Sequence, residues 1–351
     1  MTYIAKPKVR HPGLPTNALG LTTRDYEGAM STLCAGCGHD SITAAVIQAV
    51  FELSVPPHRV AKLSGIGCSS KTPTYFLGQA HGFNAVHGRM PTIATGANAA
   101  NRTLIYLGVS GDGDSLSIGL GHLCHAIRRN VRMLYLLENN GVYGLTKGQF
   151  SASADRGTRS KKGDENRQEP IDPLMLGLSL GATFVARGFS GDKAHLVPIL
   201  KAALTHDGFA LVDVISPCVA FNDHVGSTKS YLHTREHGQL AVLTDFVPRA
   251  QEIAADIAPG GSRRVTMHDG SVVCFRKVPE NYDPTDRDSV ERYIRERQRA
   301  GEVAMGLLYM DPSTSDMHAA LNTVDVPLTE LPFADLCPGS AALEALQTQF
   351  R

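Results

Sequence analysis

Between residues 30 and 217 the chain alternates short, unbroken aliphatic runs with longer stretches of helical period. The runs lie at 60–63, 103–109, 133–138, 182–186 and 210–215. Leu104-Ile105-Tyr106-Leu107-Gly108-Val109 and Met133-Leu134-Tyr135-Leu136-Leu137 show no apolar–polar alternation, as parallel strands covered on both faces should read. Residues 117–130 between them read as a crossover helix, so this stretch predicts a βαβ unit. The whole predicts an α/β fold with a mostly parallel sheet flanked by helices. Ligands of open parallel sheets sit beyond the carboxyl ends of strands, and both of these strands run into polar, glycine-containing turns.

Two segments break the rhythm. Residues 151–170 hold Ser, Arg, Lys, Asp and Glu with almost no large apolar side chain, which predicts an exposed, mobile loop, either a plain surface excursion or a lid or docking element. From about residue 239 the alternation is lost; residues 272–275 resemble a strand and residues 289–301 a highly charged helix. The expected organisation is an arm (1–29), a main domain (30–238) and a C-terminal extension (239–351) that contacts another subunit rather than forming an independent domain.

Composition narrows the function. The 34 basic and 34 acidic residues cancel, so no global charge favours nucleic acid or an anionic membrane. No run reaches the roughly 18–20 apolar residues of a membrane span, and Met1 to Arg10 lack the apolar core of a signal peptide, so a cytoplasmic protein is expected. Seven cysteines in such a chain do not read as a disulfide framework. Cys34 and Cys37 form a Cys-x-x-Cys, Cys68 lies in the turn Gly65-Ile66-Gly67-Cys68-Ser69-Ser70, and Cys218 follows the last aliphatic run. All four occupy turns at element ends, whereas Cys124, Cys274 and Cys337 lack that setting. One close pair with two distant thiols suits a cuboidal iron–sulfur cluster; structural zinc and unrelated core thiols are the other readings.

A second constellation follows the two central strands: Ser110-Gly111-Asp112-Gly113-Asp114 after the first and Glu138-Asn139-Asn140-Gly141-Val142-Tyr143-Gly144 after the second. Separated by one crossover helix, Asp112 and Asn140 fall side by side as hard oxygen donors, which suits magnesium bound to a diphosphate. The glycines leave backbone N–H groups open to phosphate oxygens, and the start of the next helix adds its dipole.

Gly111-Asp112-Gly113 with Asn139-Asn140 resembles the thiamine diphosphate motif. Together with Cys-Ala-Gly-Cys-Gly-His at 34–39 and Gly-Ile-Gly-Cys-Ser-Ser at 65–70, residues 30–240 resemble the β subunit of 2-oxoacid:ferredoxin oxidoreductases. The resemblance implies a thiamine diphosphate-binding fold of the diphosphate-binding type. It implies magnesium held by Asp112, Asn140 and the Val142 carbonyl, and one 4Fe-4S cluster on Cys34, Cys37, Cys68 and Cys218. By the same motifs Ile66, Gly67, Ser69, His87, Gly113, Asp114, Gly144 and Leu145 resemble cofactor contacts. The stretch from Asn140 to Gln149 and Cys68-Ser69-Ser70-Lys71 look most like the 2-oxoglutarate branch. Lys71 and Lys147 are then candidates to pair with the second substrate carboxylate, since a buried anion needs a charged partner; otherwise each is a surface charge. His39 either touches diphosphate or substrate or hydrogen-bonds the cysteine loop.

The reaction implied is oxidative decarboxylation of a 2-oxoacid with coenzyme A, to succinyl-CoA from 2-oxoglutarate, with electrons passing singly through the cluster to ferredoxin. With a low-potential donor it runs in reverse and fixes carbon dioxide. No glutamate here sits in a convincing motif for activating the cofactor, so a separate α subunit is expected to supply it, in an assembly of two α and two β chains that alone is active. Pyruvate or a broad 2-oxoacid range is the alternative substrate choice. A non-redox thiamine enzyme with structural zinc and a non-catalytic diphosphate-binding subunit are the rivals.

Overall fold

The computed structural model describes residues 11–242, 256–266 and 272–350; Met1 to Arg10, and the expectation attached to them, lie outside this set. The aliphatic runs form β1 (Val60–Ser64), β3 (Ile105–Gly111), β4 (Met133–Asn139), β7 (Phe184–Phe189) and β8 (Phe209–Ile215), with β2 (His81–Asn84) beside β1. A short ribbon of β5 (Val142–Tyr143) and β6 (Gln149–Phe150) follows β4. Beyond them come β9 (Gly238–Val242), β10 (Ser262–Thr266), β11 (Val272–Lys277) and β12 (Val303–Met310). Ten strands form one sheet in the order β10-β11-β9-β12-β7-β8-β4-β3-β1-β2. Only β12 against β7 and β10 against β11 are antiparallel within it.

The helices are α1 (Gly38–Glu52), α2 (Met90–Ala100), α3 (Leu120–Arg128), α4 (Pro173–Ser179), α5 (Lys193–Leu204), α6 (Tyr231–His237) and α7 (Arg287–Arg299). After them come α8 (Met317–Leu321), α9 (Phe333–Leu336) and α10 (Ser340–Thr348). The unalternating strands are explained by two apolar layers. Tyr106, Met133, Tyr135 and Leu137 point into one, with Met90, Leu123, Leu178 and Ile294 from α2, α3, α4 and α7. Leu107, Val109, Leu134 and Leu136 point into the other, with Ile42 and Val46 of α1 and Leu196 and Leu200 of α5. Successive residues alternate between faces, and each fully buried side chain of this size contributes about 1.5–3 kcal/mol.

Several expectations need revision. The crossover does not begin at 117: a π-helical turn, Gly113–Ile118, leads from Asp112 into the shorter α3. β2 carried no apolar signal, and all four of its residues are exposed at the sheet edge. Residues 151–170 are not a plain exposed loop, because Ser151, Ser153, Ala154, Thr158 and Asn166 are buried. Their polar groups are satisfied internally: Asn166 Nδ2 donates to the Ala154 carbonyl at 2.7 Å, and the two serines turn toward Asp112. Residues beyond 238 weave into the main sheet, where β12 joins β9 to β7. None of residues 328–350 is buried.

Candidate functional site

Because β1, β3, β4 and β8 are parallel neighbours, their carboxyl ends share one edge of the sheet. Asp112 follows β3, Asn140 follows β4, Cys68 lies just past β1 and Cys218 just past β8. Cys34 and Cys37 precede α1, whose first residue is fastened there by Gly38 N–H donating to the Pro217 carbonyl at 3.3 Å.

Asp112 is buried, and its two oxygens are treated differently. Oδ2 accepts from Gly141 N at 3.0 Å, from Ser153 Oγ at 2.6 Å and from Ser151 Oγ, while among the described residues Oδ1 has only Asn140 N at 3.4 Å. Burial pushes this carboxyl up from the usual aspartate range, and the serine hydroxyls and the Lys229 charge work against that rise. Asn140 Oδ1 accepts from Val142 N at 3.0 Å, which curls the turn, and Asn222 Nδ2 fixes the Asn140 carbonyl at 2.8 Å. One lightly used carboxylate oxygen beside an amide is an oxygen donor set that fits a hard divalent cation.

Around it the backbone is crowded. A Cβ on Gly113 would stand 2.4 Å from the Tyr143 ring, and the Tyr143 hydroxyl donates to the Gly113 carbonyl at 3.3 Å. Gly67 has φ +134°, outside the range of ordinary side chains, and so turns the chain between Ile66 and Cys68. Ser69 is buried beneath the turn, with its Oγ 2.8 Å from where a Gly111 Cβ would be. Ile66 and Leu145 are exposed on the rim. The Asp114 carboxylate points inward, accepting from Ser110 Oγ at 2.7 Å and Gly88 N at 2.6 Å and touching His87 Nδ1. Asp114 therefore ties its own turn to the end of β3 and to the turn at His87 and Gly88.

The four turn cysteines are brought into one neighbourhood. Gly144 lies between the sulfurs of Cys68 and Cys218, each 3.6 Å from the position of its absent Cβ. Cys68 feels Cys218 and Cys34, and Cys37 feels Cys218. Burial pushes the Cys37 thiol up to about 12, with Glu138 and Cys218 adding to the rise; burial also raises Cys68 and Cys218. These thiols are protonated until a metal displaces their protons. Among the described residues no three His, Cys, Asp or Glu side chains converge on a single-ion site. Cys124, Cys274 and Cys337 lie elsewhere, in α3, in β11 and after α9.

The sequence reading missed Glu138, which with Asn139 ends the apolar run of β4 and is fully buried, as is His39. His39 Nδ1 lies 2.7 Å from Ser216 Oγ and 3.2 Å from Glu138 Oε2, and Nε2 is 3.5 Å from Asn140 Nδ2. Burial lowers His39 to about 4 and raises Glu138 well above the carboxylate range, so the pair is neutral. His39 is thus packed under the Asn140 turn rather than facing an open cleft. Lys62, also unread, sends its buried ammonium to the carbonyls of Pro73, Phe76 and Leu77 at 2.6, 2.6 and 2.9 Å, pinning the chain after Cys68. Lys71 and Lys147 are both exposed, Lys147 with φ +80°.

A parallel sheet carrying Asp-Gly-Asp and Asn-Asn turns on adjacent strand ends defines a thiamine diphosphate-binding domain. Residues 65–214 match the family model described as thiamine pyrophosphate enzyme, C-terminal TPP binding domain. A 2-oxoacid:ferredoxin oxidoreductase subunit beta from a Sulfolobus species is 43% identical over 216 residues, 61% of this chain and 70% of that protein. The 2-oxoglutarate oxidoreductase subunit KorB of Mycobacterium tuberculosis is 39% identical over 216 residues, 61% of this chain and 57% of that one. The solved structure of a 2-oxoglutarate:ferredoxin oxidoreductase from Magnetococcus marinus, with 2-oxoglutarate, coenzyme A and succinyl-CoA bound, superposes with a TM-score of 0.69 at 30% identity. That superposition covers 86% of this chain and 89% of that one. The chain belongs to the β subunits of the thiamine diphosphate-dependent 2-oxoacid:ferredoxin oxidoreductases.

Proposed function

We propose that this chain, with its α subunit, oxidatively decarboxylates 2-oxoglutarate with coenzyme A to succinyl-CoA and carbon dioxide, passing electrons to ferredoxin. The observation that carries the reading is the convergence of two donor sets at one sheet edge. The sulfurs of Cys68 and Cys218 flank Gly144, Cys34 and Cys37 lie near enough to act on their charge, and Asp112 and Asn140 stand at the neighbouring strand ends. When bound, thiamine diphosphate supplies the carbon nucleophile that acts on the 2-oxo group, and a 4Fe-4S cluster takes up electrons one at a time.

The chain's own residues bind and orient. Asp112 Oδ1, the Asn140 side chain and the Val142 carbonyl hold magnesium, and the turns at Gly67, Gly113 and Gly144 leave backbone room for the cofactor. Ile66, Ser69, His87, Asp114 and Leu145 shape the same cleft, His87 and Asp114 by fixing its turns. Cys34, Cys37, Cys68 and Cys218 ligate the iron. Lys71 and Lys147, exposed in this chain, face the substrate's second carboxylate once the α subunit closes the cleft and provides the activating glutamate. With a low-potential donor the same site runs toward carbon dioxide fixation. The proposed assembly is cytoplasmic and holds two α and two β chains; separately, no helix among the described residues is long and apolar enough to cross a membrane.

A broader substrate range is the second reading, favoured by curated relatives whose names specify only a 2-oxoacid. Steady-state rates of the purified two-subunit complex on 2-oxoglutarate, pyruvate and 2-oxobutyrate decide between the two. A marked preference for 2-oxoglutarate, lost in Lys71→Ala or Lys147→Ala through a raised KM for that substrate alone, is expected. Equal rates on all three would defeat the dicarboxylate reading.

A further inference from the structure

We propose that Ser151 and Ser153 are positioning residues that select the cation: they hold Asp112 Oδ2 so that Oδ1 alone is offered to the metal. The inference rests on the assignment of Asp112 as a magnesium ligand. Three donors, Gly141 N, Ser151 Oγ and Ser153 Oγ, converge on Oδ2, and one long contact reaches Oδ1. A carboxylate gripped on one oxygen cannot swing to chelate through both. Single-oxygen ligation at short distance suits magnesium, whereas calcium takes carboxylates in either mode and tolerates irregular shells.

Ser153 has a further connection. Its hydroxyl carries one proton but stands within bonding distance of three oxygens, Asp112 Oδ2 at 2.6 Å, Asn139 Oδ1 at 2.9 Å and Ser151 Oγ at 3.2 Å. Asn139 is oriented by its Nδ2, which donates to Asp213 Oδ1 at 3.0 Å. Asp213, fully buried, takes Arg187 Nε on its other oxygen at 2.7 Å. Arg187 Nη2 reaches Asp172 Oδ1 at 3.0 Å, and Gln298 of α7 donates to Asp172 Oδ2. A polar chain, buried at its inner end and exposed at Gln298, therefore runs from the Asp112 carboxylate across β4, β8 and β7 to α7.

The test is equilibrium dialysis of labelled thiamine diphosphate against the two-subunit complex, stripped of divalent ions and titrated separately with magnesium and calcium. In the Ser151→Ala/Ser153→Ala double variant the magnesium requirement should rise about tenfold, as loss of groups that orient a metal ligand does, while the calcium requirement moves by less than about twofold. Ser153→Thr, which keeps the hydroxyl, should restore near-native behaviour. If the double variant does not fold, Ser153→Ala alone carries the same comparison, with thermal unfolding of the cofactor-free protein as the folding control. An unchanged magnesium-to-calcium ratio, with Asp112→Ala abolishing cation-dependent binding, would overturn the positioning role and leave the magnesium assignment standing. Cation-dependent binding that survives in Asp112→Ala would remove the assignment, and the inference with it.

Discussion

Cys68 and Glu138 show how differently single residues announce themselves. The cysteine stands in a glycine-rich turn and was legible from its setting; replacing it by alanine in the complex should take iron content to background, and unchanged iron would strike it from the ligand set. Glu138 gave only one faint sign, an acid at the end of an apolar run, because whether a polar residue is buried is decided by partners remote in sequence, here His39. The pair has a pH signature. His39 ionises near 6.5 in the unfolded chain but at about 4 in the fold, so it favours folding above 6.5 and withdraws that contribution as pH falls toward 4. Glu138 is raised, stays protonated in the fold and acts with the opposite sign, losing ground as pH rises above about 4.5. The two slopes offset each other in the native protein. Glu138→Gln, which mimics the protonated carboxyl, should uncover the histidine limb: denaturant unfolding of the iron-free variant loses about 3 kcal/mol between pH 6.5 and 4. A variant with the native pH profile would show that the pair is not held neutral.

At the level of elements, the central strands were readable because a run buried on both faces leaves no alternation, and Asp112 and Asn140 because the crossover between them is short. β12 is as apolar as β3 yet went unread. It returns antiparallel to β7 after a long excursion, so no βα rhythm leads to it. Residues 151–170 misled for the reverse reason: serines that serve a buried carboxylate have the composition of a solvated loop. The buried ion pairs that join β7, β8 and α4 carry a prediction. Arg187 bonds Asp213 and Asp172 with its side chain largely covered, so Arg187→Met strands a buried carboxylate and should cost about 3–5 kcal/mol, read as a lowered unfolding midpoint. Arg156→Ala, which removes a pair whose side chains are 68% and 72% exposed, should cost less than about 1 kcal/mol. Equal effects would contradict the burial argument.

Taken whole, the molecule is one wide sheet with its chemistry gathered at one edge and a tail that buries nothing of its own. Phe333, Leu336, Leu343, Leu346 and Phe350 are all exposed, although a helix as short as α10 gains little stability without a surface to pack on. Truncation after residue 327 should therefore leave the unfolding midpoint of the isolated chain within about 2 °C, since no buried contact is lost. A larger fall would mean that the tail packs on the chain's own surface.

The return of β12 to β7 also sets an order of assembly during synthesis. Every residue of the thiol and cation constellation has been synthesised once Cys218 is added, but the open flank of β7 waits for residues 303–310. At about 5–20 residues per second that interval lasts roughly 5–20 s. Throughout it the nascent chain presents the unpaired edge of six-residue β7 beside the site, a template for wrong pairing until β12 covers it. Completion of the site and protection of that edge are then separate events in time, and conditions that slow the ribosome late in the message should lower the yield of soluble protein.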